Sequence, residues 1–142
     1  MADEIKENPK FVNLGVILNN KGEVLLVRRA TEETGVDGSV LRWALPGGRQ
    51  GFGETRSESV KRKILERTGY EVEPITEISL RLHPQFPVVV AYHICHLISP
   101  QSMTTKATEA DKLAEVKWVK KEEVSKLITT ELDPNVKKYL GL

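Results

Sequence analysis

The chain has 142 residues, 39% of them apolar and 29% charged, a length and balance that suit one packed domain and exclude wholesale disorder. Lys and Arg number 21 against 20 Asp and Glu, and a net charge of +1 argues against a dedicated nucleic-acid scaffold. The single cysteine, Cys95, excludes an internal disulfide and a paired-thiolate zinc site. Residues 1–10 carry Asp3, Glu4, Lys6, Glu7 and Lys10 and read as a polar leader without the apolar core of a signal peptide. No apolar run approaches the ~18 residues of a membrane span. The expectation is a cytoplasmic protein with one domain over residues 11–142, no membrane partner and no specific nucleic-acid partner.

Taken in order, Phe11 to Leu18 and Glu23 to Arg29 are apolar, β-rich runs on either side of Asn19-Asn20-Lys21-Gly22, which predicts a hairpin. Ala30 to Leu41 lacks periodicity and reads as a long loop, and Trp43-Ala44-Leu45 as a short strand stopped by Pro46-Gly47-Gly48. Gly47, Gly48, Gly51 and Gly53 then lead into a helix. Thr55 and Glu58 have capping-box spacing, and Thr68-Gly69 supplies the stop. On that helix Val60 and Ile64 mark a narrow buried face, with Arg62, Lys63, Glu66 and Arg67 on a charged arc. Tyr70 to Leu82 predicts one or two strands, Val88 to Ile98 a central strand, Ser99 to Leu113 a loop and Val116 to Val119 a strand. Lys121 to Ile128 predicts a helix, and Asp133-Pro134 the N-cap and first turn of another. The class is therefore α/β or α+β with a mixed sheet.

Between Gly48 and Tyr70 the residue types suit phosphoanhydride chemistry. Amides of a Gly-rich turn at a helix start can cradle phosphate oxygens. Helix carboxylates can hold a divalent cation against a diphosphate, and Arg62 one turn before Glu66 can orient that carboxylate. Elsewhere, His93 and His96 are three apart and must face opposite sides of a strand. Cys95 reads as a small buried hydrophobe, His83 as a loop residue, and Trp43 and Trp118 as core or pocket wall.

Here the chain resembles the Nudix hydrolase family, whose box is G-x5-E-x7-R-E-U-x-E-E-x-G-U with U a bulky apolar residue. Gly48, Glu54, Arg62, Ile64, Glu66 and Gly69 occupy their box positions without a gap, with Tyr70 at the last. Leu25-Leu26-Val27-Arg28-Arg29, Trp43 to Gly48, and Val116 to Val119 followed by Lys121-Glu122-Glu123-Val124 extend the likeness from Phe11 to Leu127. The resemblance implies an α/β/α sandwich around a mixed sheet. It implies a pyrophosphohydrolase acting on a nucleoside diphosphate linked to another moiety, with Mg2+ or Mn2+ as cofactor. Carried over residue by residue, it makes Glu54, Arg62 and Glu66 catalytic. It points to Arg28, Arg29, Gly47 and Gly48 for substrate, and to Gly47, Glu66 and the later-loop Glu109 for metal, with Asp111 and Glu115 as other acids in reach. Dimers are frequent in the family, which leaves a homodimer open.

The chain departs from the box at two places. Lys63 and Arg67 stand where the family has glutamates, so the window from Glu54 to Arg67 holds five basic and three acidic residues. Each unit charge repels a cation ~5 Å away by roughly 3 kcal/mol at an effective dielectric near 20, which predicts weak or absent metal binding. Lys63 and Arg67 are expected to point into the open cleft and could neutralise phosphates in the metal's stead. The residues leave three functions open: a hydrolase of reduced activity, a module that binds nucleotide or phosphate ligands, and a structural or partner-binding domain with a vestigial site.

Overall fold

The computed structural model describes residues 5–142. Seven strands and three helices follow in the order β1 (Glu7–Leu18), β2 (Val24–Thr34), β3 (Val40–Ala44), β4 (Gly47–Gly51), α1 (Arg56–Thr68), β5 (Val72–Leu82), β6 (Val89–Leu97), β7 (Leu113–Val119), α2 (Lys121–Leu127) and α3 (Pro134–Leu140). One mixed sheet runs β3-β2-β1-β6-β5, with β4 also pairing β1 and β7 also pairing β2. The β1 and β2 runs meet only at the turn, Leu18 opposite Val24. Beyond it β1 lies parallel to β6 and antiparallel to β4, while β2 pairs with β3 and β7. The β-rich run placed centrally by the sequence is indeed interior, because β6 has β1 on one side and β5 on the other.

Alternation along the strands splits the core into two layers. Val16, Val24 and Leu26 pack with Leu45, Val90, Tyr92 and the inner residues of α2 and α3, Val124, Val136 and Leu140. Ile17 and Leu25 point the other way, onto Val60 and Ile64 of α1 with Val72 and Cys95. The result is the expected α/β/α sandwich. Burying Val60 and Ile64 completely contributes roughly 1.5–3 kcal/mol apiece. Burial pushes the Cys95 thiol up to about 12, so it remains a packed, protonated side chain.

The ends of α1 form as predicted. Thr55 Oγ1 accepts from the Glu58 amide at 3.1 Å, Glu58 accepts from the Thr55 amide at 2.8 Å, and Gly69 closes the helix. Thr55→Ala should therefore cost about 1 kcal/mol, read as a lower denaturant midpoint. An unshifted midpoint would mean that the second half of the box suffices. Asp133 likewise caps α3, its Oδ1 accepting from Asn135 and Val136 ahead of Pro134.

Three expectations are corrected. The loop predicted over Ala30 to Leu41 is mostly strand: β2 runs to Thr34 and β3 begins at Val40. The end of β2 is exposed there and Val40 and Leu41 of β3 are only half-buried, so ladder pairing of Glu33 with Leu41 and an Arg42–Glu32 ion pair shape this stretch without an apolar pattern. The strand through Trp43 does stop ahead of Pro46, at Ala44, but Gly47 and Gly48 do not simply close a turn and instead begin β4, opposite Leu14 and Asn13 of β1. The polar leader is not separate from the domain. Of residues 1–10, the first four lie outside the described residues, but β1 opens at Glu7, opposite Gly51, and the Phe52 amide donates to the Lys6 carbonyl.

Candidate active site

Helix α1 lies against β4, and this packing places the box. Ser59, fully buried, holds the strand: its hydroxyl donates to the Arg49 carbonyl and accepts from the Gly51 amide, both at 3.3 Å. A second chain of bonds fixes the loop before the helix. Asn13 Oδ1 accepts from His93 Nε2 at 3.0 Å. The amide of Asn13 donates to Gln50 at 2.6 Å, and the Gln50 amide donates to the Glu54 carbonyl at 2.7 Å. Desolvation lowers the His93 pKa, which favours the neutral ring buried at one end of this relay. His96 faces the opposite side and is exposed, as the strand period requires.

Arg62 is the hub. It donates to both Glu54 oxygens at 2.8 and 2.9 Å, to both Glu66 oxygens at 3.0 and 3.1 Å, and to Glu7 at 3.2 Å. Burial works against its charge, but Glu54 and Glu66 outweigh burial and raise its pKa. Glu54 and Glu66 thus meet at one guanidinium. Of the later acids, Glu109 alone joins them. Its backbone amide donates to the Glu66 carbonyl at 2.7 Å, while the Met103 amide donates to Gly69, so the segment after β6 is laid along the end of α1. Asp111 lines the cleft from the same segment, and Glu115 pairs with Arg28 at 3.6 Å on β7 and β2.

Lys63 is not on the cleft wall. Its side chain is 1% exposed, and its ammonium lies 2.7 Å from Glu109, 3.0 Å from Glu7 and 3.6 Å from Glu66. Its stem passes beneath Gly48, where a Cβ would come within 2.5 Å of Lys63 Cε. A helical wheel groups Lys63 with the charged arc, but the missing side chain at Gly48 opens a channel that lets the stem lie buried. Arg67 does line the cleft and also reaches Glu109 at 3.3 Å. Burial tends to raise the carboxyls of Glu7 and Glu109. The hydrogen bonds and charge of Lys63, with Arg62 at Glu7 and Arg67 at Glu109, outweigh it and hold both below the ordinary carboxylate value.

Glu7 is the residue that sequence reading missed. It sits among the leader charges with nothing local to distinguish it, and only the pairing of β1 with β4 carries it to Arg62 and Lys63. Counted in space, the cluster holds Glu7, Glu54, Glu66 and Glu109 against Arg62, Lys63 and Arg67, so it is slightly acidic, although the Glu54–Arg67 window alone is basic.

Beside the cluster opens a cleft of about 710 Å³. Its wall combines Glu7, Arg29, Gly47, Gly48 and Arg67 with the apolar and aromatic side chains of Phe86, Val88, Tyr92 and Leu132. Arg29 belongs to this wall, tied to Glu33 at 2.6 Å, whereas Arg28 points away. Trp43 and Trp118 are not in the wall of this cleft; Trp43 packs on the α2/α3 side of the core, and Trp118 donates to the Tyr70 hydroxyl at 3.0 Å.

The NUDIX domain model matches residues 10–140. The chain belongs to the Nudix family. It is 31% identical over 104 residues, 73% of its length, to the Bacillus subtilis (strain 168) protein named "Putative 8-oxo-dGTP diphosphatase". It is 37% identical over 76 residues, 54% of its length, to the Mus musculus 8-oxo-dGDP phosphatase NUDT18. The chain spans 62% of the first relative and 22% of the second. In fold it is similar to a Nudix hydrolase from Nitrosomonas europaea (TM-score 0.71, 20% identity, 96% of this chain and 72% of that one). A MutT protein from Methanosarcina mazei Go1 is also similar (TM-score 0.63, 21% identity, 97% and 94%).

Nudix proteins generally use divalent metals, so the fit of these carboxylates to such an ion can be tested on the geometry. Each of the four already faces a cation of the chain. Both oxygens of Glu54 and of Glu66 are taken by Arg62, and Glu7 and Glu109 converge on the Lys63 ammonium. Among the described residues no group of three or more His, Cys, Asp or Glu is disposed to hold a metal ion. In this arrangement the donor set does not fit a divalent cation.

Proposed function

We propose that the cleft takes a nucleoside diphosphate linked to another moiety, and that the chain hydrolyses it as a pyrophosphohydrolase of low turnover. The mixed lining of the cleft carries this reading. Arg29, Arg67 and the Gly47-Gly48 backbone offer groups suited to phosphates, and Phe86, Tyr92 and Leu132 offer surface suited to a base. The low turnover follows from the cluster, where the carboxylates that the family uses for metal are committed to Arg62 and Lys63. The same pairing favours a second reading, a module that binds such ligands without cleaving them. Lys63, buried beneath Gly48, has no part in phosphate contact under either reading; Arg67 does.

The names of the relatives make oxidised guanine nucleotides the first ligands to try. Calorimetry with 8-oxo-dGDP, 8-oxo-dGTP and ordinary nucleoside diphosphates, in EDTA and in magnesium, should show binding weakened several-fold in Arg67→Ala. A product assay run in parallel should show slow release of phosphate or pyrophosphate. Binding without product selects the module. Absence of binding across the panel overturns the proposal.

A further inference from the structure

The ammonium of Lys63 lies within 3.6 Å of three carboxylates drawn from three separate parts of the chain: Glu7 from β1, Glu66 from α1 and Glu109 from the segment between β6 and β7. It is the most deeply buried charge of the cluster, and its stem is enclosed by β4 at Gly48. A buried lysine is retained only where such partners compensate its desolvation. A divalent ion sharing these carboxylates would have to displace the ammonium and leave a buried charge without its partners.

We propose that Lys63 is the resident cation of this site, a positioning residue that ties β1, α1 and the Glu109 segment together and makes the cluster complete without metal. The segment has few other ties here. Its backbone meets α1 at Glu66, Gly69 and, through the Ser102 hydroxyl, Thr68. Lys63 adds the side-chain anchor at Glu109, supported by Arg67. The inference stands on the ion cluster alone and does not depend on which nucleotide, if any, enters the cleft.

Manganese titrated into the nucleotide-free protein tests it by calorimetry and thermal midpoint. The wild-type chain should show no saturable binding in the micromolar range and no shift. Lys63→Met keeps an unbranched stem beneath Gly48 and removes only the charge. It should bind manganese at least about tenfold more tightly than wild type and gain a manganese-dependent rise in midpoint. A structural defect would not create a metal site, so this gain separates the proposed role from simple packing. Glu109→Gln, which leaves Lys63 with Glu7 and Glu66, provides a second measurement should Lys63→Met not fold. It should speed amide exchange over residues 104–112 while manganese binding stays absent. Micromolar manganese binding by wild type, no gain in Lys63→Met, or unchanged exchange in Glu109→Gln would each overturn the proposal.

Discussion

Gly47→Ala is expected to destabilise the fold by at least about 3 kcal/mol and to leave much of the protein unfolded at modest urea concentrations. Gly47 has φ 147°, a backbone conformation that side chains with a Cβ rarely adopt. A Cβ there would overlap the Asn13 carbonyl oxygen and stand 2.9 Å from Leu14 Cα, both backbone atoms of the neighbouring strand. Backbone in a ladder cannot rotate aside as a long side chain can, so β1 and β4 would have to separate where they pair. The same shift would displace Asn13, which holds Gln50 and through it the Glu54 loop. Gly48→Ala supplies the contrast. Its Cβ meets the Lys63 stem, which can yield at its methylenes, so the loss should be smaller and concentrated in the ion cluster. Equal destabilisation by the two variants, measured by denaturant unfolding, would show that ladder geometry at Gly47 is not the cause.

Arg62→Ala is expected to cost about 3 kcal/mol, at the low end for a broken buried ion cluster because the Arg62 side chain is 18% exposed. The loss goes beyond the bonds removed. Glu54, Glu66 and Glu7 would remain close together without the cation that now separates and orients them. Arg62→Lys should recover only part of the stability, since an ammonium cannot present the paired donors that meet both oxygens of Glu54 and of Glu66. Unfolding midpoints for the two variants decide the matter. A loss below about 0.5 kcal/mol in Arg62→Ala would place the cluster with ordinary surface ion pairs.

Local signals in this chain act over a few residues, and those are the features legible without a structure. The capping box at Thr55 and Glu58, the stop at Gly69, the Asp133-Pro134 helix start and the opposite facing of His93 and His96 depend on neighbours three or four positions away. The frame from Gly48 to Tyr70 was readable for the same reason, because one helix sets the spacing of Arg62 and Glu66 and Glu54 stands just ahead of its N-cap. The α/β/α sandwich was implied by the family resemblance, and in the structure Val16, Val24 and Leu26 face one of its layers while Ile17 and Leu25 face the other.

What the tertiary structure alone decided is where the charges end up. Glu7 enters the site because β1 pairs with β4, an encounter between segments some 40 residues apart that no local pattern encodes. Glu109 is chosen over Asp111 and Glu115 by two backbone hydrogen bonds that lay its segment on the end of α1. Lys63 looks solvent-facing on a wheel, yet it is buried because the facing strand carries glycine at position 48, and a helix read by itself does not reveal what stands opposite it. Charge summed along the window from Glu54 to Arg67 made the box basic. Charge summed in space, with Glu7 and Glu109 brought in by the sheet and the loop, makes it an almost balanced cluster whose cation is the chain's own lysine.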